Sequence, residues 1–208
     1  MCGSTLTNYV ARLAARLVDE SRQRQVIVFT HDLVFVNDLI DRAKGSGQNP
    51  RLVTLSRGPT GAGQVAEGLP WKAQSVEDRL DRLEKAARGA QGLHDRNEED
   101  AYESEVARIY SNLRATWERA LEDIAFFRVV QRHRDSINAK DLKKVSVLTE
   151  PDCDAFAAGY KKCCDIVDAH DPSSGRNASA PPPADVIQDI QALKNWTASL
   201  RARQKQVA

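Results

Sequence analysis

The sequence predicts a predominantly α-helical protein that opens with an α/β edge fragment of about two strands, ordered helix-strand-helix-strand. Three observations predict it. A short apolar run, Gln25 to Thr30 (QVIVFT), is rich in β-branched and aromatic residues and reads as a strand buried on both faces. A second, weaker run lies at Pro50 to Ser56 (PRLVTLS). Beyond Trp71 the apolar residues recur only at helical spacing. Residues 1–72 therefore read as the α/β part and residues 73–208 as a helical domain.

Within the first part, Thr7 to Arg24 is an expected helix, with Val10, Leu13, Ala14, Leu17 and Val18 on one face. Asp32 opens a second helix carrying Leu33, Val36, Leu39 and Ile40, which Lys44-Gly45-Ser46-Gly47 ends. Gly58 to Pro70 holds four glycines and two prolines and reads as a loop. Two strands make at best a marginal sheet, so this part reads as the edge of a larger one.

In the helical part, Ser75 to Ala90 carries the stripe Val76, Leu80, Leu83. A longer helix over Ala101 to Phe127 buries Val106, Ile109, Tyr110, Leu113, Trp117, Leu121 and Ile124. Further helices are expected over Asn138 to Lys144, Asp152 to Ala169 and Ala184 to Gln204, the last with Asp185 at its cap. The intervening Ser173 to Pro183 is a proline-rich loop.

Composition narrows the function classes. A net charge of +1 gives no case for nucleic-acid binding by bulk charge. No apolar run approaches the roughly 20 residues that span a bilayer, and Met1-Cys2-Gly3-Ser4 does not read as a secretion signal. The four cysteines, Cys2, Cys153, Cys163 and Cys164, lack zinc spacing. They read as reduced thiols, with no metal site, in a cytoplasmic protein.

The densest signal is VIVFTHD, Val26 to Asp32. A strand ending in Thr-His-Asp puts His31 at the carboxyl end of a parallel strand, where open α/β sheets bind ligands. An imidazole there can donate to an anionic oxygen, while Asp32 can orient the ring or cap the next helix. The plainer alternative is a capped turn with a solvent-facing histidine.

The stretch RQVIVFTHDLVFVNDLI, Arg24 to Ile40, resembles the last nucleotide-site segment of ABC/SMC-like ATPases. It is most similar to the AAA-type group that includes the PrrC and RloC anticodon nucleases. The helix YVARLAARLVDES before it resembles the helix between that family's D-loop and this strand, and Ser4-Thr5-Leu6-Thr7 resembles a D-loop with threonine in place of aspartate. The resemblance implies that His31, with Asp32 beside it, is the switch residue toward the ATP γ-phosphate.

Other family parts are missing from the sequence. There is no G-x-x-x-x-G-K-[ST] loop, and Gly58-Pro59-Thr60-Gly61-Ala62-Gly63 lacks its lysine. The Q-loop, the signature segment and the acidic Mg²⁺ strand are missing too. ATP and Mg²⁺ are thus expected only if a P-loop-bearing ATPase chain, or self-association, completes the site. The other outcome is a truncated, non-functional remnant.

The helical part offers a different chemistry. Arg114 and Glu118 stand four apart and share a helix face; by spacing alone they are a surface ion pair. The resemblance implies more, because anticodon nucleases of this group use an Arg and a Glu one turn apart with a downstream His. Cleavage through a ribose 2′-OH needs a base, an acid and a cation. Arg114, Glu118 and His170 match those roles in an RNase acting on RNA. HEPN-type RNases carry an Arg with a His a few residues on, and Arg128 and His133 have that spacing. The basic run Arg128 to Arg134 suits either a phosphate backbone or a solvated helix end.

Overall fold

The computed structural model describes residues 5–58, 61–130, 137–169 and 179–207, with backbone alone at 5–8 and 169. The chain forms two compact units, one up to Gln74 and one from Ser75 onward.

In the first unit, α1 (Thr5–Glu20) packs on α2 (Leu33–Gly45). Of the expected stripes, Ala14 and Val18 are buried on α1 and Ile40 on α2, where Ala43 joins it, while Leu13 stands exposed. After α2 the chain makes an antiparallel hairpin of β1 (Val53–Gly58) and β2 (Gly61–Glu67), paired from Val53↔Glu67 to Gly58↔Gly61. Gly61 and Gly63 take φ of 125° and 87°, left-handed values that side chains disfavour. They let the segment expected as a loop turn back and pair as β2.

The predominantly helical chain with two strands is as the sequence predicts; the strand order is not. Gln25–Thr30 joins no ladder. Its side chains stand out, with Ile27 68% and Phe29 83% exposed. The reason is physical. A strand buried on both faces needs a hydrogen-bonding neighbour and a covering layer, and β1 pairs with β2 instead. The order is helix, helix, strand, strand.

The second unit is an antiparallel four-helix bundle of α3 (Val76–Asp95), α4 (Glu99–Ala120), α6 (Glu150–Ala169) and α7 (Pro183–Gln204), with a short α5 (Leu142–Val145). Neighbours around it are α3 with α4, α4 with α6, α6 with α7 and α7 with α3. Cross-links fix the directions. Tyr102 and Tyr110 of α4 bond to Pro181 and Asp189, so α4 and α7 run parallel. Glu84 pairs with Lys194 and Glu77 with Arg201, so α3 opposes α7. Asp152 meets Arg203 and Lys162 meets Asp189, so α6 opposes α7 as well.

Helices α3, α4 and α7 each turn an apolar stripe inward, while α6 buries Cys163. Val76, Leu80, Leu83, Ala87 and Ala90 are buried on α3, and Val106, Ile109, Tyr110, Leu113 and Trp117 on α4. On α7 the buried positions are Val186, Ile190, Leu193, Trp196 and Leu200. Ser75 caps α3 by accepting from the Asp78 amide at 3.2 Å. At α7 the cap position falls to Pro182, with Pro183 opening the helix. Asp185, expected at the cap, lies in the first turn, because a proline is preorganised for the first helical position and places the cap three residues earlier, at Pro182.

The long helix also ends earlier than its stripe suggests. After Ala120 it widens into one π turn, Leu121–Ala125, and Phe127 and Arg128 then take φ of 46° and 55°. Single π turns recur at functional positions.

Candidate functional site

His31 lies on the exposed connection that enters α2. Asp32 is the N-cap: its Oδ1 accepts from the amides of Val34 at 2.9 Å and Phe35 at 3.2 Å. Its own amide donates to the Thr30 hydroxyl at 3.0 Å, which tightens the turn. Of the two roles read for Asp32, the local geometry displays the capping one. His31 therefore sits at the entrance of a helix N-terminus, but on a segment that joins no sheet rather than at the end of a strand. These residues alone do not fit an ATP site. No phosphate-cradling loop adjoins His31, and among the described residues no group of His, Cys, Asp and Glu could hold a metal ion.

On the bundle, Arg114 and Glu118 both lie half-buried on α4. Glu118 Oε1 accepts from the Tyr160 hydroxyl of α6 at 3.1 Å. That carboxylate, through its hydrogen bond first, raises the tyrosine above its usual pKa, with burial adding to the effect; the positive Arg114 acts the other way. Arg114 is also felt at Cys163, one helical turn further along α6. The structure thus groups Arg114, Glu118 and Tyr160 on the α4–α6 face.

His170 and His133 lie outside the described residues. Helix α6 opposes α4, since Phe156 meets Trp117 while Cys163 is near Arg114. Ala169, where the described helix stops, is nine residues past Tyr160, about 13 Å along the axis. Tyr160 was not among the expected residues. It carries no motif, and only the packing of α6 on α4 brings it to Glu118.

A second group of charges gathers where α3 starts, α4 ends and α7 ends. Asp123, in the π turn, has a side chain only 7% exposed. Arg119 Nε meets its Oδ2 at 2.7 Å and Arg128 Nε its Oδ1 at 3.4 Å. Arg79 of α3 is 5% exposed and donates to the Ala115 carbonyl at 3.0 Å. Burial first, then the charge of Arg119, pushes Arg79 down to about 10, against the pull of Asp123. Beside this cluster is a cavity of about 320 Å³ lined by Ser75, Glu77, Asp123, Phe127, Arg128 and Arg201 among others. One sign of it is legible in sequence: Arg79 falls three residues after Val76 and four before Leu83, on the core-facing side of α3.

The aromatic residues near the basic run divide. Trp117 is core, in edge contact with Phe156 (centroids 5.7 Å apart) and tilted against Trp196 (5.3 Å). Phe126 is 39% exposed. No helix among the described residues is long and apolar enough to cross a membrane.

Compared with protein-family models, with curated proteins and with solved structures, the chain matched none.

Proposed function

We propose that the chain is a partial ABC/SMC-like ATPase, whose first unit completes a nucleotide site only when a P-loop-bearing ATPase chain joins it. One observation carries this reading. Ile27–Phe29 is apolar and exposed, joins no sheet, and leads straight into His31 and the Asp32-capped helix. Such a segment in water lacks what a sheet would give it: ladder bonds for its backbone and cover for its side chains. Pairing with a neighbouring strand would supply both and would turn His31 toward the carboxyl edge, where phosphates bind. ATP and Mg²⁺ then belong to the assembled site, in the cytoplasm.

The test is co-expression with a P-loop-bearing ATPase chain of the ABC/SMC kind. We expect ATP hydrolysis by the co-purified pair, absent from this chain alone, and a loss of at least about tenfold in His31→Ala. A pair that does not associate, or hydrolysis indifferent to His31→Ala, would sink the proposal.

A second reading is favoured by the Glu118–Tyr160 bond beside Arg114: an endoribonuclease of the HEPN or anticodon-nuclease kind. A carboxylate and a phenol in hydrogen-bond contact form a proton-handling pair, and the nearby guanidinium is suited to a phosphorane. Total tRNA incubated with the purified chain, without ATP, tests it. Cleavage abolished by Arg114→Ala, by Glu118→Gln and by His170→Ala supports the reading; intact tRNA removes it for this chain.

A further inference from the structure

At the end of the bundle four guanidiniums, Arg79, Arg119, Arg128 and Arg201, gather around two carboxylates, Asp123 and Glu77. They are not equivalent. Arg79 and Arg119 are buried or nearly so, with Arg119's side chain 16% exposed, and they hold Asp123 from inside. Arg128 and Arg201 stand at the cavity rim with side chains 47% and 45% exposed. Arg201 comes from the last turn of α7 and pairs with Glu77 in the first turn of α3.

Arg128 reaches the rim through an uncommon backbone. Two successive non-glycine residues, Phe127 and Arg128, hold left-handed φ after the π turn, a conformation that side chains disfavour. The turn is held in place. The Arg128 amide donates to the Glu122 carbonyl at 3.1 Å, and the Gln204 amide group to the Ile124 carbonyl at 2.7 Å. Two rim guanidiniums, one from the turn that follows α4 and one from α7, thus flank a cavity of about 320 Å³, within the roughly 300–1,000 Å³ usual for small-molecule sites.

We propose that this cavity binds a phosphate oxyanion, with Arg128 and Arg201 as the contacting groups and Asp123 as the counter-ion that holds Arg128 until the oxyanion arrives. The planar fork of a guanidinium matches phosphate oxygens in pairs. The exchange is balanced. When Arg128 turns from Asp123 to the phosphate, Asp123 keeps Arg119 and the field of Arg79, so no buried carboxylate is stranded. The two arginines and two carboxylates that line the cavity balance, and Arg79 and Arg119 behind Asp123 add the positive charge that favours an anion. The site lies wholly in the second unit and does not depend on the ATPase reading.

Calorimetric titration of the whole chain at low salt tests it with three probes: inorganic phosphate, AMP and a short single-stranded RNA without terminal phosphates. Saturable binding is expected, weakened about tenfold in Arg128→Asn and in Arg201→Gln. Asparagine tolerates the left-handed backbone, so Arg128→Asn separates loss of the cation from loss of the turn. Arg108→Gln, an exposed α4 arginine paired to Glu105 away from the cavity, is the control and should bind as the parent does. Binding of phosphate and AMP alone assigns a phosphomonoester; binding of the RNA assigns a phosphodiester backbone. No saturable binding of any probe, or equal weakening in Arg108→Gln, overturns the proposal.

Discussion

Gly159 of α6 lies directly against the indole of Trp117 on α4. A Cβ built on it would come within 2.5 Å of the ring's Cζ2. Glycine inside a helix is ordinarily about 1 kcal/mol worse than alanine, so propensity alone predicts that Gly159→Ala stabilises. The contact reverses the sign, because overpacking costs about 1–3 kcal/mol and Trp117 is itself 2% exposed. Urea unfolding of Gly159→Ala should show a lower midpoint with an unchanged slope. A higher midpoint would mean that α6 does not approach α4 so closely.

Alkaline stability should be governed by one corner of the bundle. The Tyr110 hydroxyl donates to Asp189 Oδ2, which Lys162 also meets. Burial foremost, then this bond and the charge of Asp189, pushes the phenol well above its usual value. Burial, then the same carboxylate, pushes the Cys163 thiol up from 9.0 to about 12. Both are acids that stay neutral longer in the fold than in the open chain. Their contribution is therefore complete below about pH 9 and is lost as pH rises from there toward 12. Midpoints measured between pH 8 and 11 should fall steadily in the parent and less steeply in Cys163→Ala.

Acid stability should depend on Asp152. Burial works to raise its pKa, but the Arg203 guanidinium and the donors of Thr149 outweigh it and hold the carboxyl below its ordinary 3.8. A depressed carboxylate contributes stability that is present above its unfolded pKa and lost as pH falls through the folded one. Asp152→Asn should cost about 1–3 kcal/mol at neutral pH and should flatten the loss of stability below about pH 4. Thermal melts at pH 7 and pH 3 would reveal both.

Thiol reactivity should separate the described cysteines. Cys153 is exposed, Cys164 half-buried and Cys163 buried with a raised pKa. Since the thiolate is the reactive form, an aromatic disulfide reagent should label Cys153 quickly and Cys163 only on unfolding. Peptide mapping after timed labelling would read the order directly; early labelling of Cys163 would contradict the packing of α6.

In the first unit, Phe29→Lys should leave the melting of the isolated chain nearly unchanged. Exposed sites usually shift stability by less than about 0.5 kcal/mol, and Phe29 is 83% exposed. Self-association seen by light scattering should nevertheless drop, because an unpaired apolar segment templates strand pairing. A large destabilisation would show that Phe29 is covered in solution.

The sequence by itself determined the helices and most of what they bury. The stripes Val76–Leu80–Leu83 and Val106–Ile109–Tyr110–Leu113–Trp117 repeat at helical spacing, and a period of 3.6 is a local property that needs no partner to be read. The Asp32 cap was legible for the same reason, since it bonds amides two and three residues away. What the tertiary structure decided is everything that depends on which neighbour arrives. QVIVFT has the composition of a buried strand, but strand formation depends on a second chain segment, and the glycines at 61 and 63 gave β1 a different partner. The pairing of Glu118 with Tyr160, and of Arg79 with the Arg119–Asp123–Arg128 group, spans tens of residues. Charge clusters of that kind have no sequence period, and the antiparallel order of four helices brings them together.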